Sequence, residues 1–375
     1  MWLLGTQTPL SRLSHKSWAD AQRELGINLH SAKELRRVHY PLIFEAILRL
    51  RQEVFVTAGF IHTEFDFLTV YNKSILIVCG HTCVDYKLFS DILGIVEFSG
   101  FAGAEHVNQL VQETISRVAP NSVLLATNTV DGALRRASEE LVGEDDTEWC
   151  ICHQLTLPIK KSLNLDRYPE SVIALDFAFM HHFGVLVRSK SDVTERLDMI
   201  RTRRLGAKSE RRLLLDCLAR WESEYRKIKR FVELQTDLNA LAKDELVAIE
   251  LDLMKEKKLA PLDAFKPRFW ARLEAMLPVI TLLHQVSKSS QSASSVTISA
   301  IPYWLYRITN ALVRVEDEPV AVSDWKETML KLTNEQFGDM KGIASNMWAA
   351  AMLDPRFADL SLFGVARMCR RRCGT

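Results

Sequence analysis

The chain has 375 residues, 47% hydrophobic and 25% charged, and its 48 Lys and Arg nearly balance 47 Asp and Glu, for a net charge of +1. That balance excludes a histone-like polycation or an acidic-tail protein while leaving room for local basic faces. At roughly 100–200 residues per domain, the length predicts two or three domains, each with its own core. Seven cysteines, at 79, 83, 150, 152, 217, 369 and 373, form no secreted-scaffold spacing and favour a reducing compartment. The longest uncharged stretch, Ser289 to Tyr306, is serine-rich and contains Pro302, so no membrane span is expected. The opening MWLLGTQTPLSRLSHKSW lacks the basic and apolar regions of a signal peptide. The expectation is a soluble, intracellular, multidomain protein.

In chain order, residues 1–50 read as a helical leader, with Val38, Leu42, Ile43, Ile47, Leu48 and Leu50 at mostly helical spacing. The period then shortens. The runs 59–66, 74–83 and 92–98 are β-branched and aromatic, separated by turn residues, and predict a meander of three strands. Residues 105–118 predict an amphipathic helix carrying Val107, Leu110, Val111 and Ile115. The continuous apolar run 122–127 predicts a fourth strand, buried and parallel. A helix over 133–141, an acidic loop with Glu144, Asp145, Asp146 and Glu148, and a fifth strand over 149–152 complete the pattern. Beyond residue 153 helices dominate. Leu214, Leu218, Trp221, Tyr225, Ile228 and Val232 form one apolar seam, and further helices are expected near 236–257, 266–287, 301–315 and 323–333. The serine-rich 287–295 reads as a flexible connection.

Three groups of residues carry possible chemistry. Asp66 lies within the first strand and Asp131 directly after the fourth. If those strands are neighbours, two hard carboxylates converge at one sheet end, as two-metal phosphoryl transfer requires. The plainer reading makes Asp131-Gly132 a turn and Asp66 an exposed strand residue. Cys150-Ile-Cys-His153 and Cys79-Gly-His-Thr-Cys83 contain zinc-type ligands but lack a second pair at finger spacing, which favours core packing over zinc. Between Arg201 and Arg230 there are eleven Lys and Arg against four Asp and Glu, interleaved with Trp221 and Tyr225. Such a surface can neutralise phosphates and stack on unpaired bases, or it can be a solvated helix face. The tail Arg367-Met-Cys-Arg-Arg-Arg-Cys373 is also basic.

Taken together and in order, these pieces resemble the hAT superfamily of DNA transposases (hobo and Activator type) over roughly residues 50–360. Asp66-Phe-Leu-Thr69 is similar to that family's first-strand Asp-x-Trp-Thr, with Leu68 in place of Trp. Asn72 to His81 is similar to its second strand, and Thr129-Val-Asp-Gly-Ala133 to its second catalytic aspartate motif. Cys150-Ile-Cys-His-Gln-Leu-Thr-Leu157 resembles Cys-x-x-His-x-Leu-x-Leu. Arg220-Trp-Glu-Ser-Glu-Tyr225 resembles Arg-Trp-x-Ser-x-Tyr, and Ala350 to Phe357 the Leu-Asp-Pro-Arg-Phe block.

The order of three antiparallel strands, helix, strand, helix, strand itself resembles the ribonuclease H-like fold (β1-β2-β3-α-β4-α-β5), and the family resemblance implies that mixed sheet with a large helical insertion. It divides the chain into a helical leader (1–50), a partial ribonuclease H-like core (51–152), an all-helical insertion (153–350) and a C-terminal segment with a basic tail (351–375). It also implies an Asp-Asp-Glu triad holding Mg²⁺, to which Asp66 and Asp131 correspond. Cys150 and His153 correspond to a structural pair. Arg220, Trp221, Tyr225, Lys229 and Arg230 become candidate DNA contacts, and Trp221 matches a residue that stacks near the DNA hairpin. The family's third acid follows the Leu-Asp-Pro-Arg-Phe block, whereas here no glutamate follows Glu335; Glu53 and Glu64 lie too close to the first strand to replace it. No zinc-finger DNA reader precedes residue 79, and the C-terminal dimerisation region is not recognisable, so family-type oligomerisation is not expected. The expectation is a truncated, catalytically inactive, nuclear, transposase-like protein with nonspecific DNA affinity and no membrane partner. An active Mg²⁺-dependent transposase or nuclease completed by another chain, and a domesticated protein-interaction module, are the alternatives.

Overall fold

The computed structural model describes residues 33, 37–38, 40–70, 73–98, 103–129, 132–144, 146–206, 213, 222–291, 297–337 and 345–357. The chain divides into two units, 1–148 and 149–375.

In the first unit, α1 (Tyr40–Ala58) hands the chain to β1 (Phe60–Val70) through Gly59. Gly59 sits at φ +74°, a conformation glycine adopts without a Cβ penalty, and its N–H closes the helix onto the Phe55 carbonyl at 3.0 Å. β2 (Lys73–Val84) and β3 (Lys87–Phe98) form a hairpin whose turn residues, Asp85 and Tyr86, both have positive φ (49° and 61°). Positive φ at both central positions is the type I′ pattern, whose twist suits a two-residue hairpin. After β3 come α2 (Ala104–Val118), β4 (Val123–Thr129), α3 (Ala133–Val142) and the short β5 (Thr147–Trp149).

The strands lie in the order β3-β2-β1-β4-β5, with β1 antiparallel to β2 and parallel to β4 and β5. This is the ribonuclease H-like sheet, and a large helical region follows it. Alternation places Ile61, Thr63 and Phe65 of β1 beside Leu76, Val78 and Gly80 of β2 on one face, all buried. Helices supply the rest of that core: Phe55 from α1, Val107, Val111, Ile115 and Val118 from α2, and Leu134 and Ala137 from α3. Gly80 allows the close packing, because a Cβ there would stand 2.8–2.9 Å from Leu93 and Ile61 side-chain atoms. The bidentate Arg51–Asp91 pair (2.5 and 2.8 Å) fixes α1 to the edge strand β3.

Two expectations are corrected here. The β4 run is parallel but not buried on both sides, since Val123 and Leu125 remain 61% and 50% exposed while Leu124 packs toward the core. The three helices of this unit share one core on one face of the sheet, so an all-apolar run does not imply two covered faces. The fifth strand stops at Trp149, and Cys150 to Cys152 is not strand: Cys150 caps α4 (Ile151–Ser162), which buries Ile151, Leu155, Ile159 and Ser162 at helical spacing.

The second unit is helical: α4, α5 (Val172–Ser189), α6 (Ser191–Leu205), α7 (Glu222–Glu233), α8 (Gln235–Leu241), α9 (Glu245–Glu256), α10 (Pro267–Ser290), a 3₁₀ turn (Ile298–Ala300), α11 (Ile301–Ala311), α12 (Val320–Phe337) and α13 (Ser345–Leu353). The helix expected over 236–257 is split in two where Asp244 caps α9, its carboxylate accepting from Leu246 N at 3.1 Å. Helix α10 runs to Ser290 through part of the expected serine-rich connection; residues 292–296 lie outside the described residues. Contrary to the sequence expectation, α5 is long and apolar enough to cross a bilayer by composition alone. Its apolar residues Ile173, Phe177, Phe179, Met180, Phe183, Leu186 and Val187 are instead buried among the other helices.

Within this core Asp176 is fully buried and receives two bonds from Arg272 (2.6 and 2.8 Å); Asp263 shares the same guanidinium at 2.7 and 2.9 Å. Burial pushes the Asp176 carboxyl up to about 6 against the opposing pull of Arg272. Replacing Arg272 with Met should therefore leave a buried, uncompensated carboxylate and destabilise the helical unit by about 3–5 kcal/mol. Denaturant unfolding monitored by tryptophan fluorescence checks this; a change below about 1 kcal/mol would show that the pair is not structural.

Candidate nucleic-acid interface and the sheet carboxylates

On β1, alternation sends His62, Glu64, Asp66 and Leu68 to the face opposite the helix-covered core. Asp66 is exposed there, level with Ile77 of β2, and its Oδ1 accepts the N–H of Phe67 at 2.7 Å. β4 runs parallel to β1 in the next position, with Glu64 level with Asn128, and ends at Thr129. In this parallel register β4 ends toward the part of β1 that holds Asp66. Asp131 itself lies outside the described residues, as do Arg220 and Trp221.

Next to Asp66 on the open face, strand register assembles a cross-strand square: His62 opposite His81, and Glu64 opposite Cys79. The two imidazoles are 5.6 Å apart between centroids; His81 Nδ1 meets Ser90 Oγ at 2.9 Å, and its Nε2 stands 3.7 Å from Glu64 Oε2. The alternating Cys79, His81 and Cys83 thus lie on the face away from the core, while Gly80 and Thr82 point into it. The expectation that Cys79 and Cys83 are core packing does not hold, because β2 is packed by helices on its other face.

Magnesium takes several hard oxygen ligands. Among the described residues no three His, Cys, Asp or Glu side chains are gathered to hold a metal ion. Asp66 brings one carboxylate, Glu64 is turned to His81, and the remaining neighbours are nitrogen and sulfur donors. The described donor set falls short of a magnesium site.

At the start of the second unit, Cys150 and His153 occupy the cap and first turn of α4, both half-buried, and Cys152 Sγ reaches the Ser287 carbonyl of α10 at 3.6 Å. The Leu-Asp-Pro-Arg-Phe block forms a clamp. Asp354 accepts from Ser299 Oγ (2.6 Å) and Arg356 Nη2 (2.6 Å), and the Phe357 ring lies 5.6 Å from Tyr303. These bonds hold the Asp354 carboxyl well below the usual carboxylate range.

The basic run divides once its partners are known. Arg201 is buried near Asp237, which Arg204 holds bidentately at 2.6 and 2.8 Å. Lys227 is buried against Glu224 (2.7 Å), and Arg230 stands 3.4 Å from Glu233. These cations are largely absorbed by the fold. Arg226 and Lys229 remain exposed on α7. The Tyr225 ring lies flat on His284 of α10, 4.2 Å away and inclined by 14°. Sequence reasoning missed His284 and Lys288, which are about sixty residues away along the chain and have no motif to mark them.

No family model matches the chain, and no curated protein matches it in sequence.

Burial first, and then the neighbouring His81, push the His62 imidazole down to about 4, with Glu64 pulling the other way. A histidine held neutral in the fold contributes stability above its unfolded value of about 6.5, and that contribution is lost as pH falls toward 4. Imidazole proton NMR should place the His62 midpoint near 4, with stability falling by about 1 kcal/mol between pH 7.5 and 5.5 in the wild type and less in His62→Gln. A midpoint near 6.5 would contradict the partial desolvation of His62 beside His81.

Proposed function

We propose that this chain is a hAT transposase-like protein that binds nucleic acid through its helical unit, and that these 375 residues do not themselves cleave DNA. The observation that carries the reading is the order of the fold: a ribonuclease H-like sheet, order β3-β2-β1-β4-β5, followed by a large helical region. The motifs of the resemblance fall on that framework in sequence. Asp66-Phe-Leu-Thr69 is in β1, Thr129 ends β4 and Ala133 opens α3, Cys150 to Leu157 opens α4, Glu222 to Tyr225 begins α7, and Ala350 to Leu353 ends α13. A sheet of this kind gives carboxylate chemistry an anchor, and the exposed cations Arg226 and Lys229 of α7 give phosphates one.

The absence of cleavage is proposed from the chemistry beside Asp66: two-metal phosphodiester hydrolysis needs carboxylates clustered about the ions, whereas the described neighbours on that face are Glu64, turned to His81, and nitrogen and sulfur donors. In the family's chemistry Mg²⁺ would activate water and stabilise the leaving oxygen. Asp66 and Asp131 would be the residues to hold it, and the third acid of the triad has no counterpart after Glu335 in these 375 residues.

The purified chain should retain labelled duplex DNA, with affinity falling at least about tenfold between 50 and 200 mM salt. No Mg²⁺-dependent cleavage product should form. Strand cleavage that disappears on Asp66→Ala would overturn the non-catalytic part, and retention insensitive to salt would overturn the phosphate-driven part.

A further inference from the structure

Helix α7 packs along α10, with Ile228 and Phe231 of one and Ile280 and Leu283 of the other in a common core. At the rim of that contact the two helices present matching pairs: Tyr225 and Lys229 one turn apart on α7, and His284 and Lys288 one turn apart on α10. The rings of Tyr225 and His284 are stacked on each other, and Lys229 Nζ stands 3.5 Å from the Tyr225 hydroxyl and 5.7 Å from its ring centroid. Arg226, Lys229 and Lys288 are all exposed, and none has an ion pair to a described residue. The nearby acid, Glu222, is engaged by Ser287 Oγ (3.5 Å) and Gln291 Nε2 (3.2 Å). All three cations lie near His284: burial lowers its pKa most, Glu222 opposes, and Arg226, Lys288 and Lys229 each lower it further.

We propose that Arg226, Lys229 and Lys288, presented by α7 and α10 around the Tyr225–His284 ring pair, form a face that binds the phosphodiester backbone of nucleic acid without reading its sequence. The inference rests on the function proposed above and locates it. It also revises the role of Tyr225. One face of its ring is already covered by His284, so it steadies the cations and does not serve as an open platform for an unpaired base. Lys227 and Arg230 belong to the fold and stand outside the face.

Salt dependence tests the face, because each phosphate neutralised contributes about 0.9 to the slope of log affinity against log salt on duplex DNA and about 0.7 on a single strand. Binding of the full chain to a labelled duplex and to labelled oligothymidylate is measured for the wild type and three variants. Lys288→Gln should lower the duplex slope by about 1, and the triple Arg226→Gln, Lys229→Gln, Lys288→Gln variant by about 2–3, with at least tenfold weaker binding at the lower salt. Exchanging the exposed Lys257 and Lys258 for Gln, just beyond α9, should leave the slope unchanged. If the wild type binds and the triple variant keeps its slope, or if Lys257 and Lys258 matter equally, this face is wrong while the broader function stands. If the wild type shows no salt-dependent binding to either polymer, both fall. Lys288→Gln alone, at an exposed position, keeps the test decisive should the triple variant fold poorly.

Discussion

Strand β1 is hydrogen-bonded along both edges, antiparallel to β2 and parallel to β4, and the first unit is organised around that double pairing. Antiparallel pairing admits the tight turn at Asp85-Tyr86 and keeps β2 and β3 consecutive. Parallel pairing obliges the chain to cross over between β3 and β4, and α2 makes that crossing. The period-2 alternation of β1 then decides which chemistry faces which side. Ile61, Thr63 and Phe65 join the helix-covered core, and His62, Glu64 and Asp66 take the other face. A shift of one residue would bury the carboxylates and expose the core, so the same pairing fixes both fold and site.

The second unit depends on charges treated in two different ways. Where a cation is buried, it has a carboxylate: Arg272 with Asp176 and Asp263, Arg201 near Asp237, Lys227 with Glu224, Lys326 with Glu318 at 2.5 Å. Desolvated pairs of this kind fix geometry more than they add net stability. Where helices meet solvent at the α7–α10 rim, Arg226, Lys229 and Lys288 lack such partners. Exposed cations gathered on one face raise the local positive potential, which is the basis for proposing that this rim meets a polyanion.

Much of the framework was legible in the sequence because it is periodic. The alternation in 59–66 and 74–83 and the helical spacing of Val107, Val111 and Ile115 identify their elements directly, and the order of those elements led to the ribonuclease H-like sheet. The failures share a cause: periodicity reports what one segment can do, not what covers it. The apolar run of β4 could not reveal that its Val123 and Leu125 side lies open, and Trp149 to Cys152 could not reveal that its second half belongs to a helix buried through Leu155 and Ile159. The site was legible only in part. Asp66 was found, but the square of His62, Glu64, Cys79 and His81 depends on cross-strand register, and the pairing of Tyr225 with His284 joins residues on helices far apart in the chain. Of the five basic-region residues singled out, Arg230 proves to be tied to Glu233, while Lys288, which completes the rim, carries no local signal.

Lysine-reactivity footprinting tests the central claim most directly, since it reports which amines become shielded when nucleic acid binds. The full chain is labelled with an acetylating reagent at low salt, with and without duplex DNA, and modification is read at each lysine by mass spectrometry. The account predicts that Lys229 and Lys288 lose reactivity together on adding DNA, while Lys257, Lys258 and Lys87 do not. Unchanged reactivity at Lys229 and Lys288, with protection at lysines elsewhere or at none, would contradict it.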